Sequence, residues 1–136
     1  MKLKYFLLFC LSVYVLSTQY STATVRYVSK TGSSTPPYTT WQTAADSIQK
    51  CINICVDGDT VYVANGVYKE NLVINTAISL IGSSMDSTVI DGSGMGQFTL
   101  RLNNNGYVSN IKVLGKGREF LQTATIIAFN YAEIKN

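Results

Sequence analysis

Four aspartates are the residues of this sequence best suited to acid–base or metal chemistry: Asp57, Asp59, Asp86 and Asp91. Paired carboxylates can act as acid and base in glycoside hydrolysis, and clustered carboxylates can bind calcium. However, Asp57 and Asp59 flank Gly58, and Asp91 also stands beside a glycine, where aspartate commonly makes local turn hydrogen bonds. No Asp-x-Asp-x-Asp-Gly calcium loop is present. We therefore interpret these aspartates as turn residues, and we predict no metal site.

Two basic residues could recognise an acidic polysaccharide. Arg101 and Lys112 alternate with apolar neighbours, so we predict that they point outward from strands. In that position they could bind uronate carboxylates, or one could act as the base of a polysaccharide lyase. Solvated surface charge is the simpler interpretation, and we assign neither residue a catalytic role.

Tyrosines are the candidates for stacking on sugar rings. They are Tyr27, Tyr38, Tyr62, Tyr68, Tyr107 and Tyr131. Aromatic residues in strands are also ordinary packing residues, so we take packing as their main role and stacking as the alternative.

Histidine is absent, which excludes His-based catalytic triads and His metal sites from the sequence. Cys51 and Cys55 are four residues apart and would share one face of a helix. A disulfide between them would be geometrically awkward there, so we interpret them as small buried apolar residues and leave their redox state open. Two thiols are a weak zinc signal, and we predict no cofactor.

The N-terminal segment predicts export. Lys2 and Lys4 precede an apolar run over residues 5–16, which is short for a bilayer span. We predict a signal peptide over residues 1–23, cleaved after Ala23 or after Ser17; an uncleaved membrane anchor is the alternative. The mature protein is then expected to be secreted or in the cell envelope, with no stable membrane span.

The remaining charge is nearly balanced. Removal of the two N-terminal lysines leaves nine basic against eight acidic residues, without a basic patch. Nucleic-acid binding therefore has no electrostatic support.

An amphipathic helix is predicted over residues 41–56. Its apolar residues recur at the helical period: Trp41, Ala44, Ala45, Ile48, Cys51, Ile52 and Cys55. Thr39 or Thr40 can cap its start, and Gly58 supplies a stop. We expect this helix to cover the open end of a strand stack.

Short apolar runs separated by Asn- and Gly-rich turns follow Gly58 and predict an all-β domain. Shifting the chain by about 22 residues aligns several runs, which is typical of stacked repeats. This alignment predicts Leu80 beneath Leu102, and it predicts one inward column of Val89, Ile111 and Ile134. The repeated coils would cover residues 59–136.

Several segments carry a family resemblance. They are Tyr27-Val28-Ser29-Lys30-Thr31-Gly32, Trp41 through Ile48, Gly58-Asp59-Thr60-Val61-Tyr62-Val63, Gly66-Val67-Tyr68-Lys69-Glu70-Asn71, and Ile78-Ser79-Leu80-Ile81-Gly82 with Thr88-Val89-Ile90-Asp91-Gly92. Together they resemble the opening of right-handed parallel β-helix proteins of the pectin-lyase-like superfamily, over residues 25–136. The same opening is similar to pectin methylesterases, whose catalytic aspartates, glutamines and arginine have no counterpart here. The superfamily includes lyases, hydrolases, esterases, epimerases and non-catalytic surface proteins, so the resemblance implies a fold more than a function.

The function expected from the sequence is that of a secreted or cell-surface β-helix that interacts with polysaccharide, without catalytic residues in residues 24–136. The alternatives are the N-terminal part of a polysaccharide-active enzyme and a structural stalk or adhesin. Because Asn136 falls within a predicted coil, we interpret the sequence as a truncated fragment. The ligand, the catalytic residues and the oligomeric state are left open.

Overall fold

A computed structural model describes residues 22–95, 98–115, 118–120, 126–128 and 132–135, the last three stretches by their backbone alone. The predicted signal peptide lies almost wholly outside the described residues and stays a prediction. Where helices are described, none is long and apolar enough to cross a membrane.

The described chain consists of strands and one short helix. In order, the elements are β1 (Val25–Val28), α1 (Ile48–Ile52), β2 (Thr60–Val63), β3 (Gly66–Tyr68), β4 (Leu72–Ile74), β5 (Ser79–Gly82), β6 (Thr88–Asp91), β7 (Phe98–Leu102), β8 (Gly106–Ser109), β9 (Lys112–Gly115), β10 (Arg118–Phe120), β11 (Ile126–Ala128) and β12 (Ala132–Lys135). The predicted all-β class is confirmed.

Three sheets organise these strands. The first sheet has the order β1-β2-β5-β8-β11, the second β3-β6-β9-β10, and the third β4-β7-β12. Pairing is parallel throughout β1 to β9, and β10, β11 and β12 pair antiparallel with β9, β8 and β7. The chain therefore visits the three sheets in the same order in successive passes, β2-β3-β4 and then β5-β6-β7.

Alternation along the strands β1 to β9 sends side chains from all three sheets into one shared core. In the first sheet Val61 pairs with Leu80, which pairs with Val108, and all three are buried. Matching buried pairs in the other two sheets are Tyr68–Ile90, Ile90–Val113, Leu72–Leu100 and Ile74–Leu102. Each buried Leu or Ile contributes roughly 1.5–3 kcal/mol through removal of apolar surface from water.

The strand register predicted from the sequence is wrong. Leu80 is aligned with Val108 in the first sheet, whereas Leu102 is aligned with Ile74 in the third. Val89 is half-buried on the outward side and lies beside Lys112, one position away from Ile111.

Ile134 does not continue that predicted column either, because its backbone is in register with Leu100 of β7. The error arises from a constant shift applied to passes of unequal length. Two residues separate β2 from β3 but five separate β5 from β6, and three separate β3 from β4 but six separate β6 from β7. The register offset in the first sheet accordingly grows from 19 residues, Thr60 to Ser79, to 28 residues, Ser79 to Tyr107.

The helix predicted over residues 41–56 is also wrong in extent, because only Ile48–Ile52 is helical. Ser47 caps the helix, and its hydroxyl accepts a hydrogen bond from the Lys50 amide. A distant carboxylate, that of Glu70, accepts hydrogen bonds from the amides of Ile48 and Gln49 at 3.0 and 2.9 Å. These contacts start the helix at residue 48, so the apolar positions before it follow an irregular path.

The segment between β1 and β2 covers the edges of β1 and β4 that have no preceding strand in the described sheets. The amide of Tyr27 in β1 donates to the Tyr38 carbonyl, and the Ala45 amide donates to the Tyr27 carbonyl. The side-chain amide of Gln49 pairs with the amide and carbonyl of Val73 in β4, at 2.8 and 3.1 Å. These hydrogen bonds occupy edge groups that could otherwise pair with another chain.

The inward column of the first sheet gives a direct stability test. We expect Leu80→Ala to lower the free energy of unfolding by about 2–5 kcal/mol, because it leaves a cavity between Val61 and Val108. The adjacent Ile81 points outward, and Ile81→Ala is expected to cost under about 1 kcal/mol. Urea denaturation of both variants checks the assignment, and equal losses would contradict it.

Candidate functional site

The outward side of the first sheet is the strongest candidate surface. Its described side chains are those of Val25, Tyr27, Thr60, Tyr62, Ser79, Ile81, Tyr107 and Ser109, together with Trp41 from the loop beside β1. We call this set the aromatic face. None of these nine residues is charged.

The parallel register aligns the aromatic face in rows across the strands. One row contains Tyr27, Tyr62, Ile81 and Ser109, and the neighbouring row contains Val25, Thr60, Ser79 and Tyr107. The first row is therefore mainly aromatic and aliphatic, whereas the second row places the hydroxyl groups of Thr60 and Ser79 side by side.

Three rings form a continuous cluster at the β1 end of the aromatic face. The ring centroids of Tyr27 and Tyr62 are 6.1 Å apart with an interplanar angle of 24°. Trp41 also contacts Tyr27, with ring centroids 4.5 Å apart and an angle of 52°. Trp41 and Tyr62 remain 44% and 38% exposed, so apolar ring surface is available to a ligand.

The loop that carries Trp41 is held by threonines on either side of it. The amide of Thr40 donates to the Thr43 hydroxyl, and the Thr43 amide donates to the Thr40 hydroxyl at 3.2 Å. The Ser33 amide also donates to the Gln42 carbonyl at 2.9 Å. These hydrogen bonds restrain the turn around Trp41, so the indole is positioned beside Tyr27 before any ligand binds.

The sequence prediction for Trp41 is wrong, because it placed this residue at the buried start of a helix. It lies outside α1 and is exposed, whereas Ala44, Ala45 and Ile48 of the same stripe are buried. The helical period gave no signal for an exposed indole. The alternation in β1 and β2 did carry a signal for the Tyr27–Tyr62 pair, since both tyrosines stand at outward positions.

The six candidate tyrosines divide between surface and core. Tyr27, Tyr62 and Tyr107 belong to the aromatic face, whereas Tyr38 and Tyr68 are buried. Tyr131 lies outside the described residues. The Tyr68 hydroxyl donates to the Ala64 carbonyl at 3.0 Å, and the Lys30 ammonium lies 4.6 Å from its ring centroid. The buried pair thus supports packing, as the sequence interpretation favoured.

Asp59 is the aspartate with the most extensive contacts, and they are structural. It is fully buried, and its carboxylate accepts hydrogen bonds from the amides of Thr24 and Val56 and from Arg26 Nε at 3.1 Å. Arg26 also donates from Nη1 to the Pro37 carbonyl at 2.8 Å. The charge of the buried carboxylate is compensated by these donors, which supports a structural role.

The other aspartates are not gathered into a site. Asp57 accepts a hydrogen bond from the Ala77 amide at 2.8 Å, and Asp91 accepts from the amide and hydroxyl of Ser93. Hydrogen bonds from Ser93 hold the pKa of Asp91 below its usual value. Asp86 is exposed. Across the described ranges, no group of three or more histidine, cysteine, aspartate or glutamate residues is placed to bind a metal ion.

Arg101 and Lys112 occupy outward positions, as their alternation predicts, but they belong to different sheets. Arg101 lies in β7 of the third sheet beside Val73, and Lys112 lies in β9 of the second sheet beside Val89. The guanidinium carbon of Arg101 is 4.1 Å from the Phe98 ring centroid. The two cations therefore do not form a single site with each other or with the aromatic face.

Comparisons with known proteins do not identify this chain. No protein family, no curated protein and no solved structure matches it. The resemblance to the pectin-lyase-like superfamily is consequently an expectation from the residues, and function must be argued from the surface chemistry.

We expect ionisation of the Tyr68 phenol to lower the stability of the protein at alkaline pH. Burial, with a smaller contribution from the Glu70 carboxylate, raises the pKa of Tyr68 to about 12, from 10.0. The unfolded chain releases this proton first, so the stabilisation is complete below about pH 10 and is lost as the pH rises to about 12.

The Tyr68→Phe variant measures this contribution. Between these pH values the free energy of unfolding should fall less in the variant than in the unchanged protein, because the variant has no phenol to ionise at this position. The difference between the two falls should be roughly 1–2 kcal/mol. Urea denaturation across the range provides the measurement. The same fall in both proteins would show that another group is responsible.

Proposed function

We propose that this chain is an exported right-handed parallel β-helix that binds an uncharged polysaccharide on its aromatic face. The observation that carries the ligand proposal is the uncharged row of Trp41, Tyr27 and Tyr62 rings with hydroxyl-bearing strands beside it.

The repeated order of the three sheets supports the β-helix. Two complete passes enter the first, second and third sheets in turn, and their strands pair parallel. Parallel strands joined by crossovers are right-handed in nearly all proteins. A chain that winds in this way stacks each pass on the preceding one, which is the arrangement of a parallel β-helix.

Asparagines at equivalent turns give further support. Asn75 follows β4 and Asn103 follows β7, and the Asn103 side-chain amide donates to the Asn75 side-chain oxygen at 2.8 Å. The Asn103 backbone amide donates to the Ile74 carbonyl at 2.9 Å. Such contacts between successive passes fix the place where the chain turns from the third sheet back to the first.

We also propose that the segment containing α1 caps the first end of the stack. Gln49 hydrogen-bonds to the edge of β4, and Tyr38 and Ala45 hydrogen-bond to the edge of β1. Ile48, Cys51 and Ile52 of α1 are buried in the common core. A short helix is sufficient for this role because the preceding loop covers the rest of the end.

The chemistry of the aromatic face favours a sugar ligand. Pyranose rings present C–H groups on their faces and hydroxyl groups at their rims. Exposed aromatic rings can pack against the former, and Thr60, Ser79 and Ser109 can exchange hydrogen bonds with the latter. Rows parallel to the stacking direction suit an extended polymer better than a single small sugar.

Charge argues for an uncharged polymer. A uronate-rich polysaccharide would need cations to offset its carboxylates, and the described side chains of the aromatic face include no lysine or arginine. Arg101 and Lys112 lie on the other two sheets. Since no acid–base pair accompanies the aromatic rings among the side chains that the structure describes, we propose binding without catalysis, at the cell surface or outside the cell.

Ring-removal variants test the proposed binding surface. We expect Trp41→Ala and Tyr62→Ala each to weaken binding to a soluble uncharged β-glucan by about tenfold, or about 1.4 kcal/mol, through lost ring contact. Isothermal titration calorimetry on the whole protein measures the change.

Val67→Ala is the matched control, because Val67 is 53% exposed on the outward side of the second sheet. This variant should bind as the unchanged protein does. Equal weakening in all three variants, or no binding of the unchanged protein to uncharged polysaccharides, contradicts the proposal.

The salt dependence of binding separates uncharged from acidic ligands. We expect affinity for the β-glucan to change less than about twofold between about 50 and 500 mM salt, since no ion pair contributes. Polygalacturonate should bind more weakly at every salt concentration. Tighter binding of polygalacturonate, abolished by salt, would instead indicate a cationic site elsewhere on the protein.

A further inference from the structure

The two cysteines of the described chain lie in and just after the last turn of α1. Cys51 is fully buried in the last turn of the helix, and Cys55 is half-buried three residues beyond the helix end. Both are free thiols. Cys55 thus stands outside α1, so the regular stacking of helical side chains at this spacing does not by itself fix its position relative to Cys51.

A tight turn that continues from the helix end joins the two cysteines. The Ile54 amide donates to the Cys51 carbonyl at 3.2 Å, and the Cys55 amide donates to the Ile52 carbonyl at 3.0 Å. The Cys55 thiol also donates to the Cys51 carbonyl, with sulfur and oxygen 3.3 Å apart. These contacts place the sulfur of Cys55 beside the backbone of Cys51.

The surroundings distinguish the two thiols. A hydrogen bond with the Cys51 thiol lowers the pKa of Cys55, and the nearby Arg26 cation acts in the same direction against the opposing effect of burial. The same hydrogen bond, together with burial, raises the pKa of Cys51. Cys55 is thus the more exposed and the more readily ionised member, which are the properties of an attacking thiol.

We propose that Cys51 and Cys55 are an oxidisable pair that closes to an intrachain disulfide. The oxidant is an external disulfide of the glutathione class. The contact between Cys55 and Cys51, their unequal burial and the turn that joins them carry this proposal, which is independent of the ligand of the aromatic face.

The chemistry balances as two thiol–disulfide exchanges. The Cys55 thiolate, formed by loss of its proton to solvent, attacks one sulfur of the external disulfide and displaces one glutathione thiolate. Cys51 then loses its proton and attacks the Cys55 sulfur of the mixed disulfide, which releases the second glutathione thiolate. The protein loses two hydrogens and two electrons, and the oxidant is reduced to two glutathione molecules.

The closed form would link α1 to the turn that leads into β2. That turn already contains the hydrogen bond from the Val56 amide to Asp59, next to the Arg26–Asp59 ion pair. Oxidation would therefore restrain the chain where the helix, β1 and β2 meet, and it should raise the midpoint of thermal unfolding.

The test uses the full chain with Cys10→Ser, which leaves Cys51 and Cys55 as its cysteines. The reduced protein is incubated with oxidised glutathione, then analysed by intact mass spectrometry and maleimide labelling under denaturing conditions. We expect loss of both reactive thiols, loss of two hydrogens in mass, and no retained glutathione. A persistent glutathione adduct on Cys55 with Cys51 still reactive would overturn the proposal, as would no reaction at all.

Two further variants in the same background identify the attacking thiol. With Cys51→Ala the glutathione adduct on Cys55 should accumulate, because the second exchange is blocked. With Cys55→Ser the buried Cys51 should react at least tenfold more slowly. Circular dichroism of both variants establishes that they are folded, and faster reaction at Cys51 in a folded Cys55→Ser protein would contradict the assigned roles.

Discussion

Parallel alignment of successive passes is the constraint on which the rest of this structure depends. Because side chains alternate with a period of two, each inward residue must lie beside an inward residue of the next strand. The series Val61, Leu80 and Val108 meets this condition across three strands. A slip of one residue in any pair would move the apolar set to the surface and bring outward polar groups into the core.

The same alternation creates the aromatic face. Once Val28 and Val61 are directed inward, Tyr27 and Tyr62 must point outward from adjacent strands, and their rings come within contact. The alternation of side chains along β1 also explains why an arginine is buried. Arg26 shares the inward side with Val28, and its charge is tolerated because the Asp59 carboxylate meets it there. Core and surface are therefore two results of one register.

Local patterns in the sequence predicted the class of structure well. Short apolar runs and turn residues after Gly58 correctly indicated strands, and alternation correctly directed Arg101 and Lys112 outward. Strand partners were not predictable, because a repeat shift cannot anticipate turns of different length. The length of the helix was overestimated because buried residues in an irregular loop, such as Ala44 and Ala45, have the same sequence spacing as the apolar side of a helix. Glu70 and Gln49, which fix its actual position, act across more than twenty residues of sequence.

The unequal lengths of the turns have a consequence for how the sequence of such a protein can evolve. The turn over residues 83–87 is longer than its counterpart over 64–65, yet the strands that follow both turns still pair in parallel register. Strand pairing thus does not depend on the number of residues that connect consecutive strands. Extra turn residues project away from the core, and the entropy cost of a longer connection grows slowly with its length. Insertions at these turns could add new surface features while the stacked interior stays the same.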